Sequence, residues 1–259
     1  MDALYFQEVV GVSFYVVLFL IAGATVAGFV DSICGGGGLI SVPVLLLAGF
    51  TPAQAIAANK LQGTLGGLAS THYYLNKKII EWAVLKKMTL GSLLGGTLGT
   101  LMVYFVGNSF METALPIMLV AMAFYFAFSP KVSDVGGKAV MPISMLGASV
   151  IPCIGLYDGF FGPGAGTFYL MALVSLGGMA MTHAVAYSRV LNLFSNAISL
   201  LIFIMLGKMV WVAGFAMSIG EVAGVYLGSH LVRKNGTRLV KPLVVMACVG
   251  MAIKSIYSW

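Results

Sequence analysis

An all-α polytopic membrane protein is the fold class the sequence predicts, arranged as two inverted repeats that each hold a glycine-rich break and a short half-helix or re-entrant segment. Three observations lead there. Of the 259 residues, 60% are hydrophobic and 8% charged, with a mean hydropathy of +1.01, whereas soluble globular chains carry about 25% charged residues. Apolar segments follow one another with only short polar stretches between them, around Asn76 to Glu81 and Ser129 to Lys138. Landmarks also recur at a near-constant offset: Asp31 and Asp158 lie 127 residues apart, and Lys60 and Arg189 lie 129 apart. Trp82 with Trp211, and Gly91, Gly95 and Gly99 with Gly220, Gly224 and Gly228, keep the second offset.

Hydropathy and helix length place segments at 10–30, 39–49, 53–75, 83–106 and 112–128 in a first repeat (1–128). A second repeat (141–259) has segments at 141–157, 166–178, 180–206, 209–231 and 240–257, with 129–140 as a cytoplasmic linker. Together they make roughly eight to ten membrane segments in one membrane domain. A full crossing needs about 20 residues, so 39–49 and 166–178 are too short to cross unaided. Residues Met1 to Val10 lack a basic region of the signal-peptide kind, so the first span is expected to be retained.

The net charge of +6 falls in short loops, which suits topology signalling rather than nucleic-acid binding. Lys77, Lys78, Lys86 and Lys87 flank one loop, Lys131 and Lys138 lie in the linker, and Arg233, Lys234, Arg238 and Lys241 flank another. If all three face the cytoplasm, each half makes an odd number of passes and the N-terminus lies outside, with Lys208 the exception. An odd count inverts the repeats about an axis in the membrane plane. Cys34, Cys153 and Cys248 form no CxxC pair and are expected to be reduced. The histidines are scattered, without metal-ligand spacing, and neither a metal nor a cofactor is expected. The spaced glycines near 91 and 220 give each half a face on which helices can approach closely.

The chemistry concentrates at the breaks. Asp31 precedes the run Gly35 to Gly38, and Asp158 precedes Gly162-Pro163-Gly164-Ala165-Gly166. Each interior glycine costs about 1 kcal/mol of helix stability relative to alanine, so the helix breaks there. The next half-helix then offers unbonded N–H groups and a positive dipole end. Gly36, Gly37, Gly38, Gly164, Ala165 and Gly166 are the candidate donors. Lys60 and Arg189 each lie within a helix, where a charge costs about 2.5–3.5 kcal/mol and needs a partner or water. Either Lys60 pairs with Asp31 and Arg189 with Asp158 to pin each broken helix, or the cations meet an anion beside the half-helices. The two roles are compatible. Asn59, Gln62 and Thr64 surround one cation, and Tyr187, Ser188, Asn192, Ser195 and Asn196 the other. Asn192 and Asn196 share a helix face with Ser188, a polar stripe that suits an oxyanion or bonds neighbouring helices. Glu221, where the first half has Ser92, is a carboxylic acid deep in a span and a candidate proton carrier. The alternative is a glutamic acid bonded to a nearby carbonyl.

The stretches Gly28 to Pro43, Ala57-Ala-Asn-Lys-Leu-Gln62 and Tyr157 to Gly166 resemble the sulfite exporter TauE/SafE family (the TSUP family), in the branch of probable membrane transporters. The resemblance spans nearly the whole chain. It implies export of small sulfur-containing anions, such as sulfite, thiosulfate or sulfonates, across the bacterial inner membrane, with proton coupling. The reading is a non-enzymatic secondary transporter of small organic or inorganic anions working by alternating access. Lys60, Arg189, the break residues, Asn59, Gln62, Asn192 and Asn196 contact substrate, and Asp31, Asp158 and Glu221 serve ion pairing or proton coupling. Its partners are the anion, protons and the lipid bilayer. Rivals are a passive anion channel, a membrane scaffold and a membrane-embedded enzyme.

Overall fold

The computed structural model describes residues 11–34, 36–128 and 137–235. The segment 240–257, Cys248, Lys131, Arg238 and Lys241 lie outside these residues. Of Cys34, Gly228, His230, Arg233 and Lys234 only the helical backbone is described. The described residues form ten helices: α1 (Phe14–Cys34), α2 (Gly38–Leu47), α3 (Pro52–Asn76), α4 (Trp82–Val106), α5 (Asn108–Phe128), α6 (Ile143–Ala148), α7 (Val150–Phe160), α8 (Ala165–Ser175), α9 (Met181–Met205) and α10 (Trp211–Asn235). They contain no strand.

Local chemistry sets these limits. The α1 helix runs through apolar residues until the glycine run after Cys34, and α2 restarts at Gly38 with no side-chain cap. At α3, Thr51 and Gln54 form a reciprocal capping box, and Pro52 supplies a residue that lacks an N–H where the helix has no use for one. The expected single segment 141–157 is instead two helices joined at Ser149 (φ −120°, ψ −67°). Pro152 explains the joint, because it cannot donate to the carbonyl four residues earlier. The segment expected from 112 begins earlier, at Asn108. The short arms α2 and α8 have 10 and 11 residues, about 15 Å each against a hydrocarbon core of about 30 Å.

Among the described residues, four helical stretches are long and apolar enough to cross a membrane: Phe14–Ser32, Trp82–Val106, Ile143–Phe160 (α6 and α7 together) and Met181–Met205. Their outer faces carry exposed Leu90, Leu94 and Leu98 on α4, while α10 shows Phe215, Ile219 and Val222, an apolar jacket suited to lipid. Helix α3 has 25 residues but a polar middle, with Asn59, Lys60 and Gln62 all buried. Its N-terminal half is interior, while Leu68 and Tyr73 further along are exposed.

The halves interlock. Helix α1 of the first half packs along α10 of the second, and α7 of the second along α4 of the first. Both seams are backbone on backbone. A Cβ at Gly95 would strike the Pro152 carbonyl, and one at Gly224 would strike the Thr25 carbonyl. These positions match at the two sequence offsets. Likewise Gly155 abuts the Ser92 carbonyl and Gly28 the Glu221 carbonyl. Glycine is required because any larger residue must push two helix axes apart. Gly95→Leu is therefore expected to lower stability by about 1–3 kcal/mol through overpacking, read as a reduced melting temperature in detergent. Exposed Leu94→Ala, one residue away, should leave it nearly unchanged.

Between the seams, α3 and α9 cross antiparallel. Gly63 faces Asn196, Gly67 faces Leu193, and beyond the end of α3 the Glu81 N–H donates to the Tyr187 hydroxyl at 3.1 Å. Lys60 and Arg189 occupy matching places, each eight residues past the first residue of its helix.

Candidate functional site

The two glycine breaks meet at the centre of the molecule. A Cβ on Gly38 would lie 3.1 Å from the Cα of Pro163, and one on Gly162 (φ +92°) would lie 3.3 Å from Lys60 Nζ. Gly164, the cap of α8, has φ +80°, a left-handed conformation that glycine adopts without strain. Each arm thus starts at the centre and runs outward.

The ion pairs join opposite halves, which corrects the pairing expected from sequence. Lys60 bonds Asp158, with Nζ 2.6 Å from Oδ1 and a second bond to the Asp158 backbone carbonyl. Arg189 bonds Asp31 through Nη1 to Oδ2 and through Nη2 to the backbone carbonyl. The reason is the antiparallel crossing of α3 and α9, which carries each cation to the break of the other half. The two pairs differ in burial: the side chains of Lys60 and Asp158 are 0% and 2% exposed, those of Arg189 and Asp31 12% and 19%. Asp31 also accepts from the Gly37 N–H (3.2 Å), and Asp158 Oδ2 accepts from Asn192 Nδ2 (3.0 Å).

One small cavity lies where these elements converge. Of the residues singled out from sequence, Asp31, Gly37, Gly38, Asn59, Gln62, Asp158, Gly164, Ala165, Gly166, Arg189, Asn192, Asn196 and Glu221 line it. Gly36 and Lys60 do not. Lys60 gives two of its three N–H donors to Asp158, is fully buried and does not line the cavity, so Arg189 is the cation there. The remaining polar neighbours serve packing: Thr64 donates to the Lys60 carbonyl, Ser188 to the Val185 carbonyl, and Ser195 is buried against Gly96. The space for the centre of a water-sized molecule is about 40 Å³, room for about three waters, which suits an anion of a few atoms.

Donors face this space from both halves. Among the described residues the backbone N–H groups of Gly38 and Gly166, at the starts of α2 and α8, have no acceptor. Arg189 has five N–H donors in all, and the Asp31 contacts leave some over. Glu221 is 4% exposed, and its Oε2 accepts from Gln62 Nε2 at 2.7 Å. Gln62 is thus the partner of one of its two carboxyl oxygens.

A model of the sulfite exporter TauE/SafE family matches residues 20–255. The chain belongs to that family. The TauE/SafE chain is 38% identical over 245 residues, 93% of its own length and 89% of the relative's, to the probable membrane transporter protein YfcA of Escherichia coli (strain K12). It is 36% identical over 249 residues (96% and 97% of the two chains) to a probable membrane transporter protein of Haemophilus influenzae. It is 35% identical over 242 residues (93% of each) to the probable membrane transporter protein ORF9 of Sinorhizobium sp. No solved structure matches. This TauE/SafE member is a membrane transporter, and its apolar spans place it in a membrane.

The site of the TauE/SafE chain also contains residues that the sequence reading passed over. Gly63, Gly66 and Gly67 line the cavity, beside Gly162 of the second break. A Cβ at Gly66 would sit 3.1 Å from Glu221 Cγ, and one at Gly63 2.8 Å from Asn196 Nδ2. The signal was available: residues 63, 66 and 67 fall at helical spacing from Lys60 and Asn59, a glycine face that makes room for the carboxyl and amide groups opposite.

Proposed function

We propose that this chain is a secondary transporter of small oxyanions, sulfur oxyanions such as sulfite, thiosulfate or small sulfonates, in the bacterial cytoplasmic membrane. The observation that carries this reading is the pair of unbonded N–H groups, Gly38 and Gly166, presented with Arg189 to one small cavity. Both belong to half-helix N-termini, whose dipoles favour an anion in front of them, and one comes from each half. The family description names sulfite, an anion of the size the cavity holds.

Charge balance calls for a proton. Lys60 and Arg189 are matched by Asp158 and Asp31, so an ionised Glu221 leaves the site one negative charge in excess. A bound monoanion would double that excess in a low-dielectric site. A proton on Glu221 removes one charge, and with Oε2 occupied by Gln62 the proton sits on Oε1. Anion and proton therefore move together. Alternating access follows if the halves are inverted and exchange conformations around the site. The antiparallel crossing of α3 and α9 and the matched seams support that arrangement.

The test uses purified protein in proteoliposomes loaded with sulfite, thiosulfate or a small sulfonate. Wild-type flux should rise under an imposed proton gradient, and Glu221→Gln should still carry the anion but lose its response to the gradient. Wild-type flux that ignores the gradient would make the protein a passive channel, and absence of anion flux would sink the reading.

A further inference from the structure

The carboxylate of Asp31 is held as a bound oxyanion would be. Its Oδ1 accepts from the Gly37 N–H at 3.2 Å, at the start of α2, and its Oδ2 accepts from Arg189 Nη1. Asp31, Gly37 and Arg189 all line the cavity. A helix N-terminus and a guanidinium are the donors an oxyanion takes most strongly, so a carboxylate of the chain itself fills part of the place a substrate needs. The other ion pair is built differently. Asp158 accepts from Lys60 at Oδ1 and from Asn192 at Oδ2, and its side chain is 2% exposed against 19% for Asp31. Asp158 is locked, whereas Asp31 can turn aside without entering a sealed interior. Its departure does not set Arg189 adrift, because Nη2 bonds the Asp31 backbone carbonyl, which stays with the helix.

Resting on the anion reading above, we infer that Asp31 is an internal ligand that competes with the transported anion for Arg189 and the α2 terminus. An arriving anion takes Arg189 Nη1 and the N–H groups of the arm, and the Asp31 carboxylate gives way. The two do not share these donors, since like charges side by side in a low-dielectric site repel strongly. When the anion leaves, the carboxylate returns. The cation is then never left bare, and the returning carboxylate keeps substrate from being held too tightly to be released. Only charge and position are used, so the device serves sulfite, thiosulfate and small sulfonates alike.

The sign of one substitution tests this. Binding of sulfite and of methanesulfonate to the purified full chain is measured by titration calorimetry in wild type, Asp31→Asn and Glu221→Gln. A carboxylate that merely holds Arg189 in position would make Asp31→Asn bind more weakly. A competitor makes it bind more tightly, by at least about tenfold. Glu221→Gln removes an acid from the same cavity without freeing Arg189 and should gain clearly less. Weaker or unchanged binding by Asp31→Asn, or an equal gain in Glu221→Gln, overturns the inference while leaving the anion site standing. If neither anion binds any of the three proteins, the anion reading fails as well. Should Asp31→Asn not fold, wild type decides through infrared difference spectra with aspartate assigned by isotope labelling. An aspartate carboxylate band should shift as methanesulfonate is added, and bands that stay in place overturn the inference.

Discussion

Asp158→Asn is expected to cost about 3–5 kcal/mol of stability, the loss seen when one partner of a buried ion pair is removed and the other charge is stranded. Lys60 is fully buried and its ammonium has Asp158 as its counter-ion. With asparagine in place the lysine must either give up its proton or stay charged without compensation. Thermal unfolding in detergent measures the effect. The matching change at the other pair, Asp31→Asn, should cost clearly less, because Arg189 and Asp31 retain some exposure and water can take over part of the lost interaction. A double replacement, Lys60→Met with Asp158→Leu, should recover most of the loss, since an apolar pair of similar volume often matches a buried ion pair. Equal losses at the two aspartates would mean that the difference in burial has no energetic weight.

Arg189→Met is expected to weaken small-anion binding by about 10–100-fold, the range for a charge-assisted hydrogen bond of about 1.5–3 kcal/mol. A Lys60→Met/Asp158→Asn protein, in contrast, should keep the anion-induced rise in melting temperature, because Lys60 lies behind the cavity wall and asparagine keeps the shape of the Asp158 side chain that lines it. Ligand binding to the folded state raises its apparent stability by mass action, so one thermal-shift series against sulfite reads both proteins. If the Arg189 variant responds to anion as wild type does, the cation at the cavity is not a ligand. The comparison separates two residues that occupy matching places in α3 and α9.

Much of this architecture is readable from residue types. The glycine runs after Asp31 and Asp158 end their helices for a local reason, loss of helix propensity, and local reasons survive folding. The short arms follow from their length alone. Pairing was not readable, because Lys60 and Asp158 are 98 residues apart and only the antiparallel crossing of α3 and α9 brings them together. The same crossing decides which cation reaches the cavity. Spacing treats Lys60 and Arg189 alike, yet one is sealed by two bonds to Asp158 and the other faces open space. The glycine face from Gly63 to Gly67 was passed over as part of a site, since its role depends on the Glu221 and Asn196 side chains opposite. The joint at Ser149 shows the opposite failure: a proline inside an apolar run was visible, and hydropathy averaged over it.

The two glycine seams also bear on where this chain can be cut. Each seam is made from one helix of either half, so a polypeptide ending between the halves would leave the faces of Gly91, Gly95 and Gly99 without their backbone partners. Severing the chain between α5 and α6 should therefore yield two fragments that accumulate only when produced together and that co-purify as one particle. The pieces are interdependent in the manner of two subunits, although one gene encodes them.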